Sequence, residues 1–155
     1  MPVTGVDHLA FPTEDGARLA AFYASVGFTV EGLDDWRAGR SPIFSIAVGD
    51  QKINVHPETM TPLRGNPWYL RGDTAEPGSA DLCVAWEGGV DALLAMLARV
   101  GVAPIEGPVP RIGGRAGGTT VGISVYVRDP DHNLLEFISY DPADVATHLG
   151  DQTPR

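Results

Sequence analysis

The stretch Val125–Tyr140, VYVRDPDHNLLEFISY, decides how the rest of the chain is read. Two runs rich in Val, Ile, Phe and Tyr flank Asp129-Pro130-Asp131-His132-Asn133, a cluster of turn formers of the kind that joins antiparallel strands. Side chains on a strand alternate between faces, so Leu134, Glu136 and Ile138 point one way and Leu135, Phe137 and Ser139 the other. Glu136 is therefore expected on an apolar strand face. A carboxylate in that setting costs several kcal/mol if it is ionised and unpaired. It must meet a cation, be neutral, or face a water-filled cavity. His132, inside the turn, reads as a left-handed residue, a conformation His tolerates better than most non-glycine residues.

Working outward, the hairpin ends a pattern that occurs twice. Val6–Phe11 reads as a strand with Asp7, Leu9 and Phe11 on one face and His8 on the other. Thr13-Glu14-Asp15-Gly16 offers capping oxygens, and Leu19, Phe22, Tyr23 and Val26 recur at helical spacing before Gly27. Phe28–Val30, Ile43–Val48 and Lys52–His56 follow as short strands, separated by the loop DDWRAGRSP and by Gly49-Asp50. After a Pro- and Gly-rich connection the order returns. Ala80–Trp86 is a strand, Val90–Arg99 a helix, and Pro108–Pro110, Thr119–Val127 and Asn133–Tyr140 are strands. The interval from His8 to Asp81 matches that from Gly27 to Gly101 to within one residue. The expectation is a tandem duplication of α+β class: residues 1–56 a first βαβββ module, 57–78 a linker, 79–140 a second module and 141–155 a polar tail, partly disordered, with one short helical turn. The whole is expected to form one compact domain. RIGGRAGG, Arg111–Gly118, reads as a flexible insertion; without a strand-to-helix transition and a following Lys-Ser/Thr it is no phosphate loop.

Composition sets limits. The chain has 155 residues, 43% hydrophobic and 20% charged, which suits an ordinary soluble domain. No apolar run reaches the roughly 18 residues of a membrane span, and the N-terminus lacks the pattern of a secretory signal, so the cytoplasm is expected. A net charge of −9 argues against nucleic acid as a partner. Cys83 is the single cysteine, which excludes an internal disulfide and a cysteine-based zinc cage. Trp68 and Tyr69 in the linker either line a pocket or cover the edge of the core.

GVDHLAF at the start and VRDPDHNLLEF at the end carry a resemblance to the vicinal oxygen chelate superfamily, which includes glyoxalase I, bleomycin and fosfomycin resistance proteins and extradiol dioxygenases. GDQKINVH, PGSADLC, EGPVPR and the final hairpin resemble more closely the glyoxalase domain-containing protein 5 type. The resemblance implies two βαβββ modules whose sheets curl around a shared cavity, with one divalent metal (Fe, Mn, Ni, Zn or Co) held by first and last strands. Carried over by position, His8 matches the first-strand ligand and Glu136 the last-strand ligand. Asp81 stands where the family often has a second histidine, and Asn54 at the first module's counterpart of Glu136.

His56 lies two residues beyond Asn54, about 6 to 7 Å along a strand. His56 and Asp81 thus compete to complete the site, and reach favours His8, His56 and Glu136, with Asp81 a fourth ligand or a hydrogen-bond partner. The bland readings are a strand-end histidine for His56, a strand-edge hydrogen-bonder for Asp81 and an ion pair with Arg128 or Arg111 for Glu136. His148 reads as solvated.

Tyr126 before the DP turn fits a ring-cleaving dioxygenase, but the histidine that signature wants between Arg115 and Ser124 is missing. Glyoxalase-type chemistry needs a carboxylate beside the metal to move a proton, a role open to Asp81 or Glu136. The expected function is a metal-dependent lyase, isomerase or dioxygenase acting on a small oxygen-bearing molecule. The alternative is a metal-free bleomycin-resistance-type protein that sequesters a ligand with Trp36, Trp68 and Tyr69. Exposed strand edges point to a homodimer, with modules pairing within or between chains.

Overall fold

The computed structural model describes residues 2–150. They form two compact units: one runs up to Ala80 and includes Asp129–Asn133, and the other takes Asp81–Arg128 and the described residues from Leu134 onward.

Unit 1 contains β1 (His8–Pro12), α1 (Gly16–Ser25), β2 (Val30–Glu31), α2 (Leu33–Arg37), β3 (Phe44–Val48) and β4 (Gln51–His56), in the sheet order β1-β4-β3-β2. β1 runs parallel to β4, and the other pairs are antiparallel. α1 starts where the sequence offers a cap: an Asp15 carboxylate oxygen accepts Arg18 N–H at 2.9 Å. It ends at Gly27, whose φ of 98° supplies the left-handed residue of a helix stop. Leu19, Ala20 and Tyr23 form its buried stripe, and Phe11, Phe44, Ile46, Ile53 and Val55 are the matching buried positions of the sheet. Such fully buried apolar side chains contribute about 1.5 to 3 kcal/mol each and dominate folding.

Unit 2 repeats the plan with β5 (Asp81–Trp86), α3 (Val90–Arg99), β6 (Glu106–Gly113), β7 (Thr120–Arg128), β8 (Leu134–Ser139) and α4 (Pro142–His148), in the order β5-β8-β7-β6. Val90, Leu93, Met96 and Leu97 bury the inner face of α3; Val84, Val125, Val127, Leu135 and Phe137 are buried on the sheet. The fold class is α+β, with two βαβββ-type modules. The duplication extends to register. In the parallel pairs Ala10 faces Asn54 and Cys83 faces Glu136, with His8 and Asp81 each two residues earlier.

Three local expectations are corrected. The first four residues of the DDWRAGRSP loop belong to a short helix, α2, because Asp34 and Asp35 sit in its first turn and Arg37 in its last, a favourable arrangement for the helix dipole. β6 runs to Gly113, so Arg111, Ile112 and Gly113 belong to a strand and not to a flexible insertion. Its Pro108 and Pro110 are tolerated because β6 is an edge. The linker is not structureless. Glu58–Leu63 is a tight helical turn, Glu58 accepts Gly16 N–H at 2.8 Å, and Glu76 holds both Arg64 (2.6 Å) and Arg71 (3.3 Å).

The tail makes a seven-residue helix, α4, capped by Asp141 through Ala143 N–H. From α4 the Asp144 carboxylate accepts Val90 N–H at 3.0 Å, which caps α3 where Gly89 has no side chain to do so. The disorder expected at the end of the tail concerns residues 151–155, outside those described.

The turn between β7 and β8 is built as its composition suggests. One Asp129 oxygen accepts the N–H of Asp131 and of Asn133, both at 2.9 Å, and the other accepts Asn133 Nδ2 at 2.8 Å. Tyr23 Oη donates to Asp129 at 3.2 Å. Burial pushes the Asp129 carboxyl above its ordinary range, and burial with the Asp129 charge pushes the Tyr23 phenol far above 10. His132 has a φ of 69°, the left-handed conformation expected of it.

Candidate functional site

Paired residues on neighbouring strands share a face, so each sheet has one face toward its helix and one open. In unit 2 the open face carries Asp81 and Cys83 from β5, Glu136 from β8, Ser124 and Tyr126 from β7 and Arg111 from β6. Glu136 is half-buried there, but its surroundings are polar, which corrects the apolar face expected from β8 alone. Alternation along one strand reveals a residue's phase and not its cross-strand neighbours.

Ser124 Oγ donates a short hydrogen bond to Glu136 Oε1. The Cys83 thiol is pushed up to about 12 by burial, then by the Glu136 charge and a hydrogen bond to Glu136, and by Asp81. Burial and the Glu136 charge also raise the Tyr126 phenol, against the opposing pull of Arg111. Arg111 does not reach Glu136 as an ion pair; it donates from Nε to Tyr126 Oη at 3.0 Å and from Nη2 to Glu106 at 2.8 Å. At the other end of the face Gly122 makes room for Ile138: a Cβ there would approach Ile138 Cγ1 to 2.6 Å.

The open face of unit 1 presents His8 on β1, Asn54 and His56 on β4 and Ser45 on β3. Ser45 Oγ donates to Asn54 Oδ1 at 3.0 Å. His8, 47% exposed, has Nδ1 at 2.6 Å from an Asp7 oxygen, a contact that orients the ring and leaves Nε2 outside it. His56 Nδ1 lies 3.1 Å from Tyr69 Oη, and burial followed by the Arg71 charge lowers its affinity for a proton. His56 is therefore held as a neutral imidazole.

The three expected aromatics are in different settings. Tyr69 covers His56 on the open face, with ring centroids 5.3 Å apart. Trp36 packs against Phe44 on the opposite, helix-covered face, 5.3 Å between centroids, in the space left by Gly16. Trp68 is 91% exposed. Ser124 is the residue the sequence reading passed over; it was detectable, lying two positions before Tyr126 and so in phase with it. Arg111, expected as a possible ion-pair partner of Glu136, bonds to Tyr126 and Glu106 instead.

The donor types suit a divalent metal of the expected kind: imidazoles at His8 and His56, carboxylates at Glu136 and Asp81. Asp7 meets His8 and the Ser124 hydroxyl meets Glu136, contacts of the kind that orient such donors. Among the described residues no group of three His, Cys, Asp or Glu side chains stands ready to hold an ion. The ligand assignment rests on donor chemistry and not on a preformed cage.

The profile of the Glyoxalase/Bleomycin resistance protein/Dioxygenase superfamily matches residues 5–137. The chain belongs to this superfamily. Its members bind small molecules, and many are enzymes. Among superfamily relatives, the glyoxalase domain-containing protein RDO1 of Mycosarcoma maydis is 32% identical over 145 residues, covering 92% of this chain and 72% of that protein. The virulence protein STM3117 of Salmonella typhimurium is 32% identical over 141 residues, 90% of this chain and 87% of that one. The crystal structure of STM3117 superposes with a TM-score of 0.73 at 30% identity, covering 90% of this chain and 99% of that chain. The lactoylglutathione lyase of Agrobacterium tumefaciens shares the superfamily fold, with a TM-score of 0.62 at 19% identity over 90% of this chain and 96% of that one. Among the described residues no helix is long and apolar enough to cross a membrane.

Proposed function

We propose that this chain is a metal-dependent, glyoxalase-like lyase or isomerase that moves a proton on a small oxygen-bearing substrate. The observation that carries the reading is Glu136, a half-buried carboxylate on an open strand face, held by the Ser124 hydroxyl and the Cys83 thiol. His8, His56 and Glu136 would hold the metal, with Asp81 beside them. When bound, such an ion polarises the substrate's oxygens and acidifies the neighbouring C–H.

The two carboxylates then divide the work. Glu136, already accepting a hydrogen bond from Ser124, has the part of fixing position. Asp81 is exposed at the start of edge strand β5 and is free to take a proton from one carbon and return it to the next. Tyr69 orients His56 through its phenol at Nδ1, so that Nε2 is the nitrogen left for the ligand role.

The test is metal content and affinity of protein prepared without an affinity tag, before and after dialysis against a chelator. Near-stoichiometric metal in the wild type and its loss in His8→Ala and Glu136→Ala is the expected result. Full metal retention in either variant removes the reading. The same preparation should sediment and scatter light as a homodimer.

A further inference from the structure

Arg111 is a buried-side cation on the Glu136 face that makes no ion pair with Glu136, and its hydrogen bonds explain why. Nε donates to Tyr126 Oη at 3.0 Å, Nη1 to the Pro110 carbonyl at 3.0 Å and Nη2 to Glu106 Oε1 at 2.8 Å. Every nitrogen of the fork is engaged, so the guanidinium cannot swing to a new partner without breaking contacts. A register shift in β6 makes this possible. Val109 pairs with Ser124, which in regular pairing would set residue 107 opposite Tyr126; the irregularity between Glu106 and Val109 brings Glu106 there instead. That shift turns the Glu106 side chain onto the same face as Arg111, as a bulge re-aims side chains next to it.

A phenol has one hydrogen to give. With Arg111 N–H on its oxygen, Tyr126 keeps that hydrogen for another acceptor, and the residue directly opposite across the antiparallel β7–β8 pair is Glu136. Ser124 holds the carboxylate as well.

We propose that Arg111 is a positioning residue for Glu136, acting through the Tyr126 hydroxyl: the guanidinium aims and polarises the phenol, and the phenol fixes the carboxylate. This rests on the reading of Glu136 as the central carboxylate of the site. Hydrogen bonds in series strengthen one another, so a cation two bonds away makes Tyr126 a firmer donor without neutralising Glu136. Glu106 balances the Arg111 charge from the solvent side. Unit 1 has no counterpart: Ser45 occupies the strand position opposite Asn54 that Tyr126 takes opposite Glu136.

The deciding experiment uses the metal-free full chain with carbon-13 at Glu Cδ and Tyr Cζ, and compares wild type with Arg111→Met, Arg111→Lys, Tyr126→Phe and the Arg111→Met/Tyr126→Phe pair. Arg111→Met is expected to move both the Tyr126 Cζ and Glu136 Cδ resonances, and Arg111→Lys, which keeps a cationic donor, to restore part of each shift. In the Tyr126→Phe background, Arg111→Met should leave Glu136 Cδ where Tyr126→Phe alone puts it. A Glu136 resonance unmoved by Arg111→Met, or moved equally with and without the phenol, overturns the proposal. Calorimetric titration with nickel(II) is a separate arm. There Arg111→Met is expected to weaken binding about 10- to 100-fold. A wild type that binds no metal would sink the proposed activity while the resonances still decide the part played by Arg111.

Discussion

The two units are built on one plan and furnished differently. Each has a parallel outer pair, an antiparallel continuation and a helix on one face. At the central position of the open face unit 1 has Asn54, receiving Ser45, and unit 2 has Glu136, receiving Ser124. Two residues before the strand partner of that position, unit 1 has His8 and unit 2 has Asp81. The duplicated scaffold keeps the registers and lets the side chains diverge, with His8 and His56 on the open face of one copy and Asp81 and Glu136 on that of the other.

The most severe way to break this division is to remove the ligand types one at a time. His8→Ala, His56→Ala and Glu136→Ala should each weaken metal affinity by more than about 100-fold, and Asp81→Asn by no more than about 10- to 100-fold, the range for a group that orients or shuttles. Titration giving the opposite order for His56 and Asp81 would move the second histidine out of the chemistry and make Asp81 the ligand.

The equality of the scaffolds is open to a smaller test. Leu19 and Leu93 occupy matching places on α1 and α3 and are both fully buried. Leu19→Ala and Leu93→Ala should each cost about 2 to 5 kcal/mol in denaturant unfolding. A loss near zero at either one would show that its unit contributes little to the cooperative core. Below these comes the remote cap: Asp144→Ala should cost about 0.5 to 2 kcal/mol through the freed α3 terminus; its analogue in unit 1 is Glu58, which accepts Gly16 N–H at the start of α1, where Asp15 also caps its own helix.

Converting the carboxylate copy into the amide copy sharpens the comparison without unfolding anything. Glu136→Gln removes the charge that disfavours the Cys83 thiolate, so the thiol, pushed up to about 12, should titrate lower. Because burial is the larger cause, it should stay above the ordinary thiol range. Thiolate absorbance against pH reads this directly, and an unchanged midpoint would mean that Glu136 does not govern the neighbourhood. The subtlest effect is alkaline. Folded Tyr23 keeps its proton where an unfolded tyrosine loses it, so stability should fall as pH rises above about 10. Tyr23→Phe should flatten that slope.

The sequence disclosed most of the frame, for reasons that are local. The Asp129–Asn133 turn, the α1 cap at Asp15 and the Gly27 stop are written in consecutive residues, and the Val90–Arg99 helix matches its pattern end to end. What stayed hidden depends on partners distant in the chain. Arg111–Gly113 looked like a loop because glycine lowers strand propensity, yet pairing with β7 makes it a strand and packing explains its glycines. The tail looked idle because the donor it satisfies, Val90 N–H, lies 54 positions away. Strand phase was enough to put His8 and Glu136 on the faces where the structure has them. The Ser124 bond to Glu136 and the Arg111 bond to Tyr126 required knowledge of which strands lie side by side.

The prolines of β6 have a consequence for how this protein can associate. Pro108 and Pro110 are two residues apart, so both withhold a hydrogen-bond donor from the same side of the strand, while the opposite edge of that sheet, Asp81–Trp86, is free of proline. A further strand arriving on that side of β6 would meet acceptors with two successive donors missing; β5 has no proline to withhold one. The sheet of unit 2 is thus directional in its capacity to grow, closed along one border and open along the border that begins with Asp81.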